Sequence, residues 1–155
     1  MSRDPQRAHY VPILEPQDHE AGVDGDSINL GKGHSVTFCI LFGELTGDAV
    51  LTVYSGASAG TKTTAETFHY SATAADLKAT SGDVLGAWAT SAALTLTAAT
   101  YEDRMLMVTV DHDDITDGQP WVTLEFSDAA TELFVSASAR VEPRYASDQS
   151  ATMTA

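Results

Sequence analysis

The chain is short of cations, of cysteine and of long apolar runs, and each shortage closes off a class of function. Eight Lys and Arg stand against 22 Asp and Glu in 155 residues, a formal net charge of −14. Those eight, Arg3, Arg7, Lys32, Lys62, Lys78, Arg104, Arg140 and Arg144, are scattered and form no basic patch. A phosphate backbone is held by clustered cations, so this composition argues against direct nucleic-acid binding. Cys39 is the single cysteine, which excludes an intrachain disulfide. Set in the apolar run 36–42, it is expected to be a buried, inert thiol. No apolar run approaches the length that crosses a bilayer, which argues against a membrane role. The N-terminus, Met1-Ser2-Arg3-Asp4-Pro5-Gln6-Arg7, is polar and lacks the apolar core of a secretion signal. The expected product is soluble and made in the cytoplasm.

What the chain does have is period-two alternation. In 121–126, Val122, Leu124 and Phe126 share one face while Trp121, Thr123 and Glu125 share the other. In 133–141, Leu133, Val135, Ala137, Ala139 and Val141 alternate with Phe134, Ser136, Ser138 and Arg140. Alternation of this kind marks strands with one buried and one wetter face. Residues 105–110 read as a third strand, and Asp-, Gly- and Pro-containing turns at 111–120 and 127–131 separate the three.

Upstream, 34–42 forms a strong strand with Val36, Phe38, Ile40 and Phe42 on one face. A tight turn at Thr46-Gly47-Asp48 leads into 49–54, a pattern that predicts a hairpin. A Gly/Ser/Ala/Thr loop covers 55–64, followed by a strand at 66–70. Residues 72–82 suit either a helical turn or an Ala-rich loop, and short strands are expected at 84–88 and 94–98. The count comes to about eight strands, the spacing of an all-β antiparallel sandwich or barrel, with no long helix. The chain divides into an extended N-terminal arm (1–26), a β-sandwich domain (27–145) and a polar C-terminal tail (146–155). Pro5, Pro12 and Pro16 keep the arm extended, and its apolar island, Tyr10-Val11-Pro12-Ile13-Leu14, is suited to docking on a partner.

No residue pattern supports catalysis, a cofactor or a metal. Gly56-Ala57-Ser58-Ala59-Gly60 matches the nucleophile elbow of α/β-hydrolases, but no helix pattern follows it, so Ser58 reads as a loop serine. The acidic run 111–118 lacks the glycine position and closing glutamate of an EF-hand loop and reads as a solvated turn. His9, His19, His34, His69 and His112 have no metal-ligand spacing. Trp88, Trp121, Tyr101 and Tyr54 leave a carbohydrate-binding sandwich open as an alternative, with core or interface anchoring as the commoner use of such residues.

The order of hairpin 46–54, small-residue loop, strand entry Tyr101-Glu102-Asp103-Arg104, strand Pro120-Trp121-Val122 and close Val141-Glu142-Pro143-Arg144-Tyr145 resembles small structural proteins of tailed double-stranded DNA phage heads. Among these it looks most like the capsid decoration, or cement, proteins with a jelly-roll sandwich. The resemblance implies a non-enzymatic protein on the capsid exterior, a homotrimer that binds the major capsid protein and clamps its neighbouring subunits. In that setting Tyr10, Val11, Ile13, Leu14 and Trp121 are the expected contact residues, and removing residues 1–24 is expected to weaken shell binding while leaving the sandwich folded. A tail-tube or head–tail joining protein is the alternative within the same structural class.

Overall fold

The computed structural model describes residues 7–128, 131–144 and 153–154. Its strands are β1 (His9–Asp18), β2 (Val23–Asp24), β3 (Ser27–Asn29), β4 (Gly33–Thr46), β5 (Ala49–Gly56), β6 (Thr64–Glu66) and β7 (Phe68–Ala72). They continue as β8 (Ala89–Ser91), β9 (Leu94–Leu96), β10 (Met105–Asp111), β11 (Trp121–Phe126), β12 (Glu132–Pro143) and β13 (Met153–Thr154). One helical turn, α1 (Ala98–Tyr101), precedes β10. The expected polar tail lies outside the described residues except at 153–154, where β13 pairs with β3. Two antiparallel sheets pack as a sandwich, one ordered β1-β12-β4-β10-β7-β8, the other β13-β3-β11-β5-β6 with β2 and β9 attached.

The connectivity becomes simple when the principal strands β1, β3, β4, β5, β9, β10, β11 and β12 are numbered first to eighth. First pairs with eighth, second with seventh, third with sixth and fourth with fifth. That is one antiparallel ribbon folded back on itself. The eighth strand then joins the third, and the seventh joins the fourth, which rolls the ribbon into sheets of order 1-8-3-6 and 2-7-4-5. This is the jelly-roll arrangement of two Greek keys. Strands β6, β7 and β8 and the segment 74–88 are an insertion between the fourth and fifth strands.

The core is what the alternation promised. Val36, Phe38, Ile40 and Phe42 from β4 meet Leu51, Val53, Val122, Leu124 and Phe126 from the other sheet, all buried. Phe42 packs edge-on against Tyr101 and Phe126, with ring centroids at 6.2 and 6.3 Å. The expected hairpin, however, is a sheet-to-sheet crossing. β4 and β5 lie in opposite sheets, and the turn between them, with Gly47 at φ +95°, carries the chain across the core. A hairpin and a crossing place apolar residues at the same period, so alternation alone does not separate them. The strand expected at 66–70 likewise breaks at Thr67, with β6 in one sheet and β7 in the other. Residues 84–88 form no strand and make a single bridge, Leu85 to Thr73. The strand expected at 94–98 stops at Leu96 and gives way to α1, whose Tyr101 is buried.

The largest correction concerns the N-terminal arm. It is extended, but over β1 it forms the edge strand of the six-stranded sheet, registered against β12 from His9↔Val141 to Asp18↔Phe134. Val11 and Ile13 point into the core, at 3% and 4% exposure. Pro12 and Pro16 lie on this edge, where a missing donor costs no ladder bond and discourages a foreign strand from adding on.

The loop 57–63 folds over the outer face of the other sheet. The Gly60 N–H donates to Ser27 Oγ at 2.8 Å, and Ser27 Oγ lies 2.7 Å from Thr123 Oγ1. Lys62 Nζ reaches Asp24 on β2 and Glu125 on β11, and sits 5.8 Å from the centre of the Tyr54 ring. Hydrogen bonds to Glu125 and Asp24 hold the Lys62 pKa above its ordinary value, outweighing its burial. Lys62→Met is expected to cost about 1 kcal/mol, because it leaves two carboxylates together in a part-exposed network. Urea melts at low and high salt check this: the deficit shrinks as salt screens the network.

A bare, nearly neutral sheet face

The two outer faces differ in kind. Under the 57–63 loop, Ser27, Thr52 and Thr123 are buried polar residues. Among the described residues, no loop covers the central strands of the six-stranded sheet's outer face in this way. Tyr10, Leu41, Leu77, Val84, Trp88 and Phe134 are the exposed large hydrophobics among the described residues, and all belong to this sheet or to the 74–88 insertion at its edge.

Register shows how the face is laid out. One row runs Tyr10–Arg140–Thr37–Thr109–His69, and the next runs Pro12–Ser138–Cys39–Met107. A third brings Ser136, Leu41 and Met105 side by side. On β4, β10 and β12 between these rows, Arg140 is the one charged side chain, in a protein of net charge −14. The carboxylates sit at the strand ends, Glu142 and Asp111 at one, Glu44 and Glu132 at the other. There the Glu132 carboxylate, with smaller contributions from Glu102 and Asp103, pushes the Glu44 pKa above its ordinary value.

Slips in register between Leu14 and Gln17 on β1 and between Leu133 and Val135 on β12 leave a depression of about 200 Å³ beside Pro16, Leu41, Gly43 and Phe134. A Cβ on Gly43 would come within 3.2 Å of Phe134 Cβ, so glycine there lets the phenyl ring lie close.

Of the residues expected to meet a partner, Tyr10 lies on this face, half exposed. Val11 and Ile13 are committed to the chain's own core, and Leu14 packs partly against it. Trp121 is on β11 in the opposite sheet, between Asn29 and Gly56, so the structure does not bring it near Tyr10. Leu41 and Phe134 carry a signal in the sequence itself: each is a large apolar residue on the off-phase of an alternating strand. Cys39 has the same phase. It faces outward between Ser138 and Met107, half-buried, which corrects the expectation of an interior thiol. Burial pushes its pKa up, so it reacts slowly near neutral pH.

The other candidates separate in the same way. Ser58 sits in an exposed turn with its Oγ 2.7 Å from Thr61 Oγ1. A Cβ on Gly56 would meet Thr61 O at 1.9 Å, so the glycine of the elbow-like motif serves the tight turn. Residues His112–Asp114 form a 3-10 turn, and the described residues contain no group of three or more His, Cys, Asp or Glu able to hold a metal ion. Tyr101 is buried and Tyr54 lies under Lys62, which leaves Trp88 as the most exposed of the four aromatics considered for sugar stacking.

A buried polar bracket closes one end of the sandwich. Ser55 Oγ donates to Glu66 Oε1 at 2.5 Å, and the Thr116 N–H donates to the same oxygen at 2.8 Å. Ser55 Oγ also lies 2.9 Å from Gln119 Oε1. Burial pushes the Glu66 pKa up, but the bonds from Ser55 and Thr116 outweigh it and hold the carboxyl below its ordinary value. All the acceptor work of this oxygen is internal, so the bracket ties β5 and β6 to the 115–120 loop. Compared with protein-family models, with curated proteins and with solved structures, the chain gives no match.

Proposed function

We propose that this protein is a structural virion component, a capsid decoration protein that binds the outside of a phage head and strengthens contacts between major capsid subunits. The observation that carries the reading is the bare, nearly neutral face of the six-stranded sheet on an otherwise strongly acidic jelly roll. An acidic exterior keeps the free protein soluble and away from packaged DNA. A face of mostly uncharged side chains, with Leu41 and Phe134 standing out beside a depression, suits protein contact, where a few anchors supply most of the affinity. Repetition over a shell multiplies modest contacts into stable decoration. In this reading the protein is made in the host cytoplasm and sits on the capsid exterior as a homotrimer.

The test is co-sedimentation with undecorated shells. Leu41→Asp combined with Phe134→Asp is expected to weaken binding at least about 30-fold, the loss of roughly 2 kcal/mol expected from two anchor residues. Alkylation of Cys39 is expected to proceed in the free protein and to stop once it sits on the shell. Full binding by the double variant, with Cys39 still reactive, would sink the assignment. A large ring in solution would favour a tail-tube or joining protein instead.

A further inference from the structure

Two Asp–Gly dipeptides occur in the chain, Asp24–Gly25 and Asp117–Gly118, and the fold treats them in opposite ways. Asp–Gly is the pair in which an aspartate most readily reacts with its own backbone, because glycine has no Cβ to shield its amide nitrogen. The two settings are closely matched in sequence, with a β-branched residue before each, Val23 and Thr116. At 24–25 the reaction is locked out. Gly25 is buried, and its N–H donates to Leu124 O at 2.9 Å. The Asp24 carboxylate is held by Lys62 Nζ at 2.9 Å, and β2 pairs Asp24 with Glu125 on β11. A Cβ on Gly25 would meet Ile13 Cδ1 at 3.4 Å and Leu124 O at 3.8 Å, so the backbone there is packed between β1 and β11.

Asp117–Gly118 has none of these restraints. It forms the middle of a β-turn whose ends are joined by the Gln119 N–H donating to Thr116 O at 3.1 Å, with Gly118 at φ +79° in the third position. Both residues are exposed, and nothing lies within 4 Å of where a Gly118 Cβ would stand. Among the described residues the Gly118 N–H has no acceptor, and the Asp117 carboxylate has neither a hydrogen bond nor an ion pair. A depression of about 170 Å³, lined by His112, Thr116 and Gln119, borders the turn and has room for water. The ends of the turn are fixed, in contrast to its middle. The Thr116 N–H donates to Glu66 Oε1 at 2.8 Å, Gln119 Oε1 accepts from Ser55 Oγ at 2.9 Å, and the Leu30 N–H donates to Pro120 O at 2.8 Å.

We propose that Asp117 is a site of spontaneous isomerisation, at which the chain is rerouted through the aspartate side chain and the 115–120 loop loosens its hold on Glu66 and Ser55. The Gly118 nitrogen attacks Cγ of the protonated Asp117 carboxyl. A Cγ–N bond forms, a Cγ–O bond breaks, and the hydroxyl leaves as water with the amide proton. Water then opens the cyclic imide. Addition at the main-chain carbonyl breaks its C–N bond, frees an α-carboxylate and leaves the side-chain amide as the backbone link. One water is lost and one regained, so the mass is unchanged and no further reactant is needed. The backbone between Thr116 and Gln119 gains a methylene. With both ends fixed, the extra length is taken up by giving up the Gln119 N–H bond to Thr116 O and weakening the bonds to Glu66 and Ser55 beyond it. The reaction needs no shell and stands apart from the decoration reading.

The test is to age the full chain in warm neutral buffer and map its tryptic peptides. The two dipeptides fall on separate peptides, residues 8–32 and 105–140. Isoaspartate is counted by methyl transfer from S-adenosylmethionine with isoaspartyl methyltransferase and located by fragmentation. It is expected to form at least about 10-fold faster at 117 than at 24, because Asp24–Gly25 must first break the two bonds that hold it. An intermediate lighter by one water is expected on the 105–140 peptide. In urea, with the fold gone, the two rates are expected to converge. Equal rates in the folded protein, or a ratio that persists in urea, would overturn the proposal. Asp117→Glu keeps the charge at an exposed position and slows closure by requiring a larger ring. The aged variant is expected to keep its melting temperature while the aged wild type loses part of it. An aged variant that loses as much, or an isomerised fraction that melts with the fresh protein, would overturn the loosening of the loop.

Discussion

A chain shortened by its first 18 residues is expected to lose the cooperative fold or to melt about 15 °C lower, because those residues include a whole edge strand. Val11 and Ile13 are buried in the core, and burial of such side chains contributes roughly 1.5–3 kcal/mol each. β1 also covers β12 through seven registered partners, and Asp18 Oδ1 accepts from the Leu133 N–H at 2.9 Å. Without β1, the β12 ladder groups on that side and the inner residues Val135, Ala137 and Ala139 next to them become wet. Together these losses reach about 5 kcal/mol, comparable to the whole stability of many domains. Urea and thermal melts followed by near-ultraviolet circular dichroism report the result. Equal midpoints for the short and full chains would return β1 to the status of a detachable arm. If the short chain does unfold, loss of shell binding on truncation says nothing about contact, and point changes at exposed Leu41 and Phe134 become the informative variants.

The residues of the arm do not declare its place in the sheet. Tyr10-Val11-Pro12-Ile13-Leu14 alternates correctly for a strand, but two prolines in eight residues argue against a central strand, and an edge strand is the case in which both are tolerated. The sandwich itself was legible because every long strand carries its own apolar phase: Val36 to Phe42, Val122 to Phe126 and Leu133 to Val141 need no partner to declare which side faces the core. Which strand pairs with which was not legible. Gly47 permits a turn in either a hairpin or a crossing, and the choice is made by the summed burial of both sheets, a long-range quantity. The exposed face of the six-stranded sheet was half legible. Leu41 and Phe134 stand on the wet phase of apolar strands, a local contradiction that marks exposed apolar surface. The 74–88 insertion was not, since Ala, Thr, Ser and Gly from 72 to 82 suit several backbones, and the bonds that fix it, Arg104 to Asp76 and the Leu77 N–H to Asp103 O, come from residues far along the chain. That Trp121 and Tyr10 lie in different sheets was hidden for the same reason: strand phase says which face a residue takes, not which sheet.

Glu66→Ala is expected to destabilise the protein by about 3 kcal/mol at neutral pH, the cost of leaving buried donors without their charged acceptor. Ser55 is fully buried, and both its hydroxyl and the Thr116 N–H now donate to Glu66 Oε1 at 2.5 and 2.8 Å. Ser55 Oγ keeps Gln119 Oε1 at 2.9 Å as an acceptor, whereas the part-buried Thr116 N–H loses its carboxylate partner. At this chain length such a loss lowers the melting temperature by about 10 °C. Glu66→Gln keeps the shape and an acceptor oxygen but loses the charge, and is expected to cost about half as much. The pH dependence distinguishes the charge from the shape. Because the folded protein holds this carboxyl below the ordinary glutamate value of 4.5, its ionised form contributes stability that is fully present above that value. As pH falls through the folded pKa, Glu66 takes up a proton and the contribution disappears. The gap between wild type and Glu66→Gln is therefore expected to be constant from neutral pH down to about pH 5 and to close below it. Thermal melts across that range measure the gap directly. A gap that persists unchanged into acid would mean that Glu66 acts through its volume and not as the anionic acceptor that fastens the 115–120 loop to β5 and β6.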